Sequence, residues 1–499
     1  MILDTIVEAT KIRVAKEKEV ETPEAVKAAA LALPSDTGFS FEVALRQQDF
    51  NFICEVKKAS PSKGIIAEHF PYLDIAKEYE VAGAAAISVL TEPDFFKGDK
   101  KYLQEIASTV KIPVLRKDFI IDEYQIYQAK VWGASAILLI CACLDGPTLT
   151  KFRELADSLG LSSLVEAHDE HEVQMAIDCG ARIIGVNNRN LKDFTVDVQN
   201  SVRLRNLVQD DVIFVSESGL ETPEDIQVLR DNNIGVALMG ETFMRSPNKV
   251  EKLAYLYGPT YYTPKVKMCG ISKVETIPAI VDAKPDYMGL VFAPSKRQVT
   301  VDQAKTLVEE LHKQYAKTYG TNTVPMNAEA TQDTNRFGVE NTNSEAIKTV
   351  GVFVNETVDN LVAIANEVNL DAVQLHGDED EAFIQALKEK TDVEVWKAVQ
   401  IRSAADAEAW IDSSADMLLF DAYHKDERGG TGEVFDWSCL DEFERPFMLA
   451  GGIDSTNVAR AIRTVRPYGI DISSGIETDG VKDDEKIKAF TNIVRTIAH

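Results

Sequence analysis

Positive charge is scarce: 53 Lys and Arg stand against 80 Asp and Glu, a formal net charge of −27 over 499 residues. Binding to nucleic acid without regard to sequence needs clustered cations, so the balance argues against that function. An anionic small molecule must then be held by locally placed cations and backbone amides. Long apolar runs are missing as well. None reaches the roughly 18 residues of a membrane span, and Met1-Ile2-Leu3-Asp4 has no signal-peptide layout. Cysteines number six and form no CxxC. Cys141 and Cys143 are expected to share a face of one apolar strand as buried free thiols, and a reducing cytoplasm is the expected compartment. The seven histidines show no metal-ligand spacing. His168 and His171 are three apart without a third partner, so surface or loop roles are expected for them, with no metal and no cofactor.

The length that is present exceeds one ordinary core, and two domains near 250 residues each are expected. Hydrophobic content of 45% with 27% charged residues is that of a globular protein. Residues 1–50 read as helical, from apolar spacing at Ile2, Leu3, Ile6, Val7 and later Val26, Ala30 and Leu31. Short apolar runs then alternate with amphipathic stretches. Eight strands are predicted at 52–57, 86–90, 113–119, 136–143, 163–168, 183–189, 213–219 and 235–240. Repeated strand–helix units imply a parallel sheet, and eight of them fit a (β/α)8 barrel better than a doubly wound sheet. The first domain is expected to span 1–258.

The Gly and Pro residues around 259–264 mark a linker. The same beat then restarts over 265–499, with strands predicted at 266–269, 287–293, 348–355, 372–377, 394–399, 417–422, 447–452 and 469–475. The fold class is therefore α/β, with two consecutive (β/α)8 barrels. A polar stretch at about 313–346 reads as a mobile insertion. Arg428-Gly429-Gly430-Thr431-Gly432 does not match a dinucleotide fingerprint and reads as a lid over substrate.

Unusual chemistry falls at the C-terminal ends of these strands, where barrels place their active sites. Alternation sends Glu55 and Lys57 to one side of the first strand, and the loop carrying Ser60 follows. Lys117, Glu166, Asn187, Arg189, Glu217 and Ser218 end later strands. Each half then shows glycines after its seventh and eighth strands: Gly219, Gly240 and the adjacent Glu241 in the first, Gly451, Gly452, Ser474 and Gly475 in the second. Glycine permits close backbone approach, and free N–H groups at a short helix bind phosphate without side-chain charge. In the second half Cys269 ends the first strand and Asp421 the sixth, a thiol and a carboxyl able to remove one proton and supply another.

These residues carry a resemblance. Glu55–Ser62, Leu115–Phe119, Leu164–Glu166, Asn187–Arg189 and Ser216–Gly219 resemble the motifs of indole-3-glycerol-phosphate synthase. Lys267–Ile271, Ser295–Arg297, Gln374–Gly377, Phe420-Asp421, Gly429–Gly432 and Asp471–Gly475 resemble those of phosphoribosylanthranilate isomerase. Together they resemble the bifunctional tryptophan-biosynthesis family with the synthase first. The resemblance implies that Asp421 protonates the ribose ring oxygen, that Cys269 takes the proton of the adjacent carbon, and that Arg297 holds the anthranilate carboxylate, with His376 also binding substrate. It further implies Lys117 as general acid, Glu166 as general base and Lys57 as a second cation, with Glu55, Asn187, Arg189 and Glu217 orienting the substrate. Other phosphate-binding barrel isomerases are an alternative, but they need no Lys117–Glu166 set beside Cys269–Asp421. A non-catalytic scaffold would show a substituted catalytic position. The expected partners are small phosphorylated anions, neither nucleic acid nor membrane. A monomer with freely diffusing intermediate is expected.

Overall fold

Strands buried on both faces explain the apolar runs, because each barrel strand packs helices outside and a filled interior inside. The computed structural model describes residues 2–189, 195–258, 263–319, 346–422, 436–440 and 443–497. The chain divides into two units, Met1–Gly258 and Pro259–His499.

In the first unit the strands are β1 Asn51–Val56, β2 Ala86–Leu90, β3 Val114–Lys117, β4 Ala136–Ile140, β5 Ser162–Ala167, β6 Ile183–Asn187, β7 Ile213–Glu217 and β8 Val236–Met239. All pair in parallel with their sequence neighbours, and β1 closes on β8. Along β1, Phe52, Cys54 and Val56 pack among the helices while Ile53 packs inside. The two-residue period therefore turns Glu55 inward. The same rule places Lys117 beyond inward Leu115, Glu166 beyond Leu164 and Glu217 beyond Val215.

Three helices precede this barrel: α1 Ile2–Val20, α2 Pro23–Leu31 and α3 Ser40–Ala44. The second begins at an N-cap, Thr22, whose hydroxyl accepts the Ala25 N–H, with Pro23 at the first position. The first is bolted to the barrel through Arg13, whose guanidinium lies 2.7 Å from Asp118, and through Lys18, 2.6 Å from Asp122.

The second unit repeats the plan with β9 Lys265–Cys269, β10 Tyr287–Val291, β11 Lys348–Phe353, β12 Ala372–Leu375, β13 Glu394–Ile401, β14 Met417–Ala422, β15 Phe447–Leu449 and β16 Gly469–Ile472. These also form a closed parallel barrel. Tyr287, Val350, Ala372, Trp396, Leu419 and Met448 fill its interior, which sets Cys269, Gln374 and Asp421 facing the same space.

Two expectations change. Cys141 and Cys143 do not extend a strand: β4 stops at Ile140 and residues Cys141–Cys143 form a 3-10 turn, with Cys143 only partly buried. The reason is the following helix, Gly146–Ser158, whose N-cap Asp145 accepts the Thr148 N–H at 2.8 Å and so forces an early turn. The polar insertion also starts later than 313, because the helix Val301–Tyr319 runs through it. Its last turns are held by Glu310 with Lys313 and Gln314, and by a ring contact between Tyr315 and Tyr319. Residues 320–345, the linker residues 259–262 and the Arg428–Gly432 lid lie outside the described residues.

Candidate active sites

At the C-terminal ends of β1–β8 lies a cavity of about 690 Å³. It is lined by Glu55, Lys57, Ser60, Lys117, Glu166, Asn187, Arg189, Glu217, Ser218, Gly219, Gly240 and Glu241, all the residues expected in the first site. Lys117 Nζ stands 2.5 Å from Glu217 Oε2 and 3.3 Å from Glu166 Oε2. Lys57 Nζ lies 2.7 Å from Glu55 Oε1. Asn187 donates to Glu166 Oε1 at 3.3 Å. Small residues make room for this charge. A side chain at Gly185 would collide with Glu217, and one at Gly240 would sit 2.7 Å from Glu55 Oε1 and 2.9 Å from Lys57 Nζ.

The competition over the lysine has a definite winner. Burial works against the Lys117 ammonium, but Glu217, Glu166 and Glu55 outweigh it, and its pKa is raised. Burial pushes Glu217 up to about 7, with Glu166 adding to the rise against the pull of Lys117. Glu166 is lowered despite its burial, by Lys117 and His168. The site thus holds a lasting cation, a carboxylate that titrates near neutrality and a carboxylate that stays ionised.

Two consecutive left-handed residues, Ser218 (φ 70°) and Gly219 (φ 81°), bend the backbone after β7 into the cavity wall. The short helix Glu241–Met244 starts at Gly240 with no side chain capping it, leaving its first N–H groups for another acceptor.

The second barrel has a mouth cavity of about 300 Å³, lined by Cys269, Arg297, His376, Asp421, Gly451, Gly452 and Ser474. Gly475 is expected there but does not line it. A side chain at Gly475 would strike the Ile453 carbonyl, so its role is close packing. Gly451 (φ 83°) and Gly452 (φ 64°) repeat the pair of left-handed residues after the seventh strand. Gln374 Nε2 lies 2.9 Å from His376 Nδ1; an amide N–H can only donate, which leaves His376 Nε2 turned toward Asp421 Oδ2 at 3.4 Å. Arg297 makes two bonds to Glu477, at 2.6 and 2.9 Å. Burial opposes the Glu477 charge, yet Arg297 and Lys482 hold its pKa down to about 2.

Burial raises the Cys269 thiol above its ordinary pKa, although Lys267 and Lys482 pull the other way. Lys267 is fully buried and 3.0 Å from Asp471. A side chain at Gly289 would lie 2.8 Å from the Cys269 sulfur, so glycine keeps that sulfur accessible.

Several lining or adjacent residues were not anticipated. Ile2, Leu3 and Ile6 of α1 line the first cavity, as do Phe96 and Phe119. His168 is not a surface residue: its side chain is 17% exposed and stands beside Glu166. Strand alternation from Glu166 carried that signal. The same alternation from Cys269 pointed to Lys267. Glu477 and Lys482, in contrast, sit on a two-residue hairpin that no periodicity announces.

The family model for indole-3-glycerol phosphate synthase matches residues 3–256, and that for N-(5'-phosphoribosyl)anthranilate (PRA) isomerase matches residues 313–493. The chain is 57% identical over 258 residues to indole-3-glycerol phosphate synthase of Ruminiclostridium cellulolyticum, covering 52% of this chain and 99% of that protein. It is 36% identical over 458 residues to tryptophan biosynthesis protein TrpCF of Haemophilus influenzae, covering 89% and 86% respectively. The crystal structure of phosphoribosyl anthranilate isomerase from Thermotoga maritima aligns with a TM-score of 0.37 and 30% identity, over 46% of this chain and 98% of that one.

Proposed function

The chain belongs to the indole-3-glycerol phosphate synthase family, joined to a PRA isomerase half in the order of TrpCF, and on that premise we propose a role for each residue of the two cavities. The protein is a bifunctional enzyme of tryptophan biosynthesis. Its second half converts N-(5-phosphoribosyl)anthranilate to 1-(2-carboxyphenylamino)-1-deoxyribulose 5-phosphate. Its first half closes the indole ring of that product with loss of CO2 and water.

In the isomerase half, Asp421 gives a proton to the ribose ring oxygen and the ring opens to a Schiff base. Cys269 removes the proton from the adjacent carbon, and Lys267 and Lys482 lower the cost of the thiolate. Arg297 exchanges one of its bonds to Glu477 for the anthranilate carboxylate, and Gly451, Gly452 and Ser474 receive the phosphate. His376 orients Asp421.

In the synthase half, Lys117 remains an ammonium, donates to the reacting carbonyl oxygen and releases its proton as the hydroxyl departs. Glu217, titrating near 7 at 2.5 Å, is placed to return that proton. Glu166, ionised, takes the ring proton that restores aromaticity. Lys57 steadies the developing oxyanion and is itself oriented by Glu55. Asn187 and Arg189 orient the aromatic carboxylate, with Ser60 beside them, and Ser218, Gly219, Gly240 and Glu241 shape the phosphate end. A catalytic free thiol suits the reducing cytoplasm, and all six cysteines are free.

The observation that carries this reading is the placement of Lys117 between Glu217 and Glu166 inside one cavity. Its test is to give the rearranged intermediate to Lys117→Ala protein. Loss of indole-3-glycerol phosphate formation by about 10²-fold or more is expected, with PRA isomerisation unchanged. A near-wild-type rate of ring closure would remove Lys117 from the chemistry.

A further inference from the structure

The residue two beyond Glu166, His168, has a geometry that a packing role does not explain. Its Nδ1 lies 3.0 Å from Glu172 Oε2, and the same oxygen accepts the His168 backbone N–H at 2.8 Å. An ionised carboxylate can only accept, so Nδ1 carries the proton and the tautomer is set. Nε2 is then the open nitrogen. It is buried, has no hydrogen-bond partner among the described residues, and stands 3.5 Å from Glu166 Oε1. A lone pair facing a carboxylate is a costly contact, and a proton arriving between them relieves it.

A base at this depth must also shed, on every turnover, the proton it has taken. Asn187 can only donate to Glu166, and Lys117, an ammonium at rest, is recharged by Glu217 in the mechanism above, so neither takes this proton. His168 can, and part of its side chain remains exposed. We propose that His168 is a positioning residue of the ring-closing reaction, receiving on Nε2 the proton that Glu166 takes from the substrate and passing it to water. The inference rests on Glu166 being the base.

The protons balance. The ring C–H bond breaks and a Glu166 O–H forms. That O–H breaks as Nε2–H forms, giving an imidazolium, and Nε2 then gives this same proton to water that enters as product leaves, which restores the starting Nδ1–H tautomer. The charged groups acting on His168 are Glu172 on the helix Glu170–Asp178, Glu166 near the end of β5 and Glu217 on β7, and Cys141 and Cys143 lie near the same Glu166 and Glu172. Burial opposes the imidazolium, but the three carboxylates outweigh it and the pKa is raised. Below that pKa the acceptor is already loaded, so ring closure must slow as pH falls through the imidazole range.

The test is a steady-state pH profile of ring closure by the full chain given the rearranged intermediate, for wild type, His168→Asn, His168→Gln and Glu166→Gln. Removing the imidazole is expected to lower the plateau about tenfold and to move the acid limb down by roughly one unit toward the carboxylate range, with substrate affinity within about twofold. An unchanged limb and plateau in both His168 variants would overturn the inference, as would a loss of substrate affinity with the limb in place, the mark of a structural role. Glu166→Gln is expected to lose about 10²-fold or more. If it keeps the wild-type rate, the assignment of the base itself fails.

Discussion

Lys117 illustrates how a single side chain holds a site in a costly state. It is a buried cation among three carboxylates, Glu217, Glu166 and Glu55, and its presence keeps their repulsion in check. Removing one member of such a set leaves buried charge uncompensated, at about 3–5 kcal/mol. The sign of the pH effect follows. In Lys117→Ala, Glu217 loses the cation that opposes its rise and stays above its unfolded pKa, so its contribution is intact below the unfolded value and is lost as pH rises through the folded one. The stability gap to wild type should therefore widen between pH 5 and pH 8, read from amide hydrogen exchange of β3 and β7. An equal gap at both values would show that Lys117 does not offset the carboxylate charge.

At the scale of elements, α1 contributes Ile2, Leu3 and Ile6 to the wall of the first cavity. Asp118, at the exit of β3, accepts Arg13 at 2.7 Å, Arg116 at 3.0 Å, Thr91 at 2.6 Å and the Phe119 N–H at 2.8 Å. Burial disfavours its charge, yet the two arginines hold its pKa below the ordinary value. Asp118→Asn should cost about 3–5 kcal/mol in the first unit and release α1, whose amides would exchange faster while those of β9–β16 stay protected. Retained protection of α1 would show that the bolt is dispensable. The barrel strands were legible because each is an apolar run buried on both faces, and the catalytic candidates because they sit two residues beyond inward core residues such as Leu115 and Leu164. Cys141–Cys143 was misread because its apolar character hides a turn dictated by Asp145. The helix up to Tyr319 was misread because its last turns are held by side-chain contacts three and four apart, Glu310 with Lys313 and Gln314 and Tyr315 with Tyr319, rather than by an apolar face. The pairing of Arg297 with Glu477 spans 180 residues and leaves no local trace. His168 was misread as a surface or loop residue although alternation from Glu166 turns it inward, and its tautomer depends on Glu172, which only the folded helix brings near.

For the whole molecule, two consecutive reactions are divided between two separately closed barrels, each with its own cavity and its own pair of left-handed residues after the seventh strand. Among the described residues each cavity is lined by its own unit alone, and the intermediate is expected to travel through solution. The most direct measurement is to mix full-length Cys269→Ala and Lys117→Ala proteins, supply N-(5-phosphoribosyl)anthranilate and follow indole-3-glycerol phosphate. Neither variant alone should form it, and the Lys117→Ala protein alone should accumulate the rearranged intermediate. The mixture should recover product formation at a rate that rises with the concentration of both. Product from either variant alone, or none from the mixture, would contradict the division of the chemistry between the two cavities.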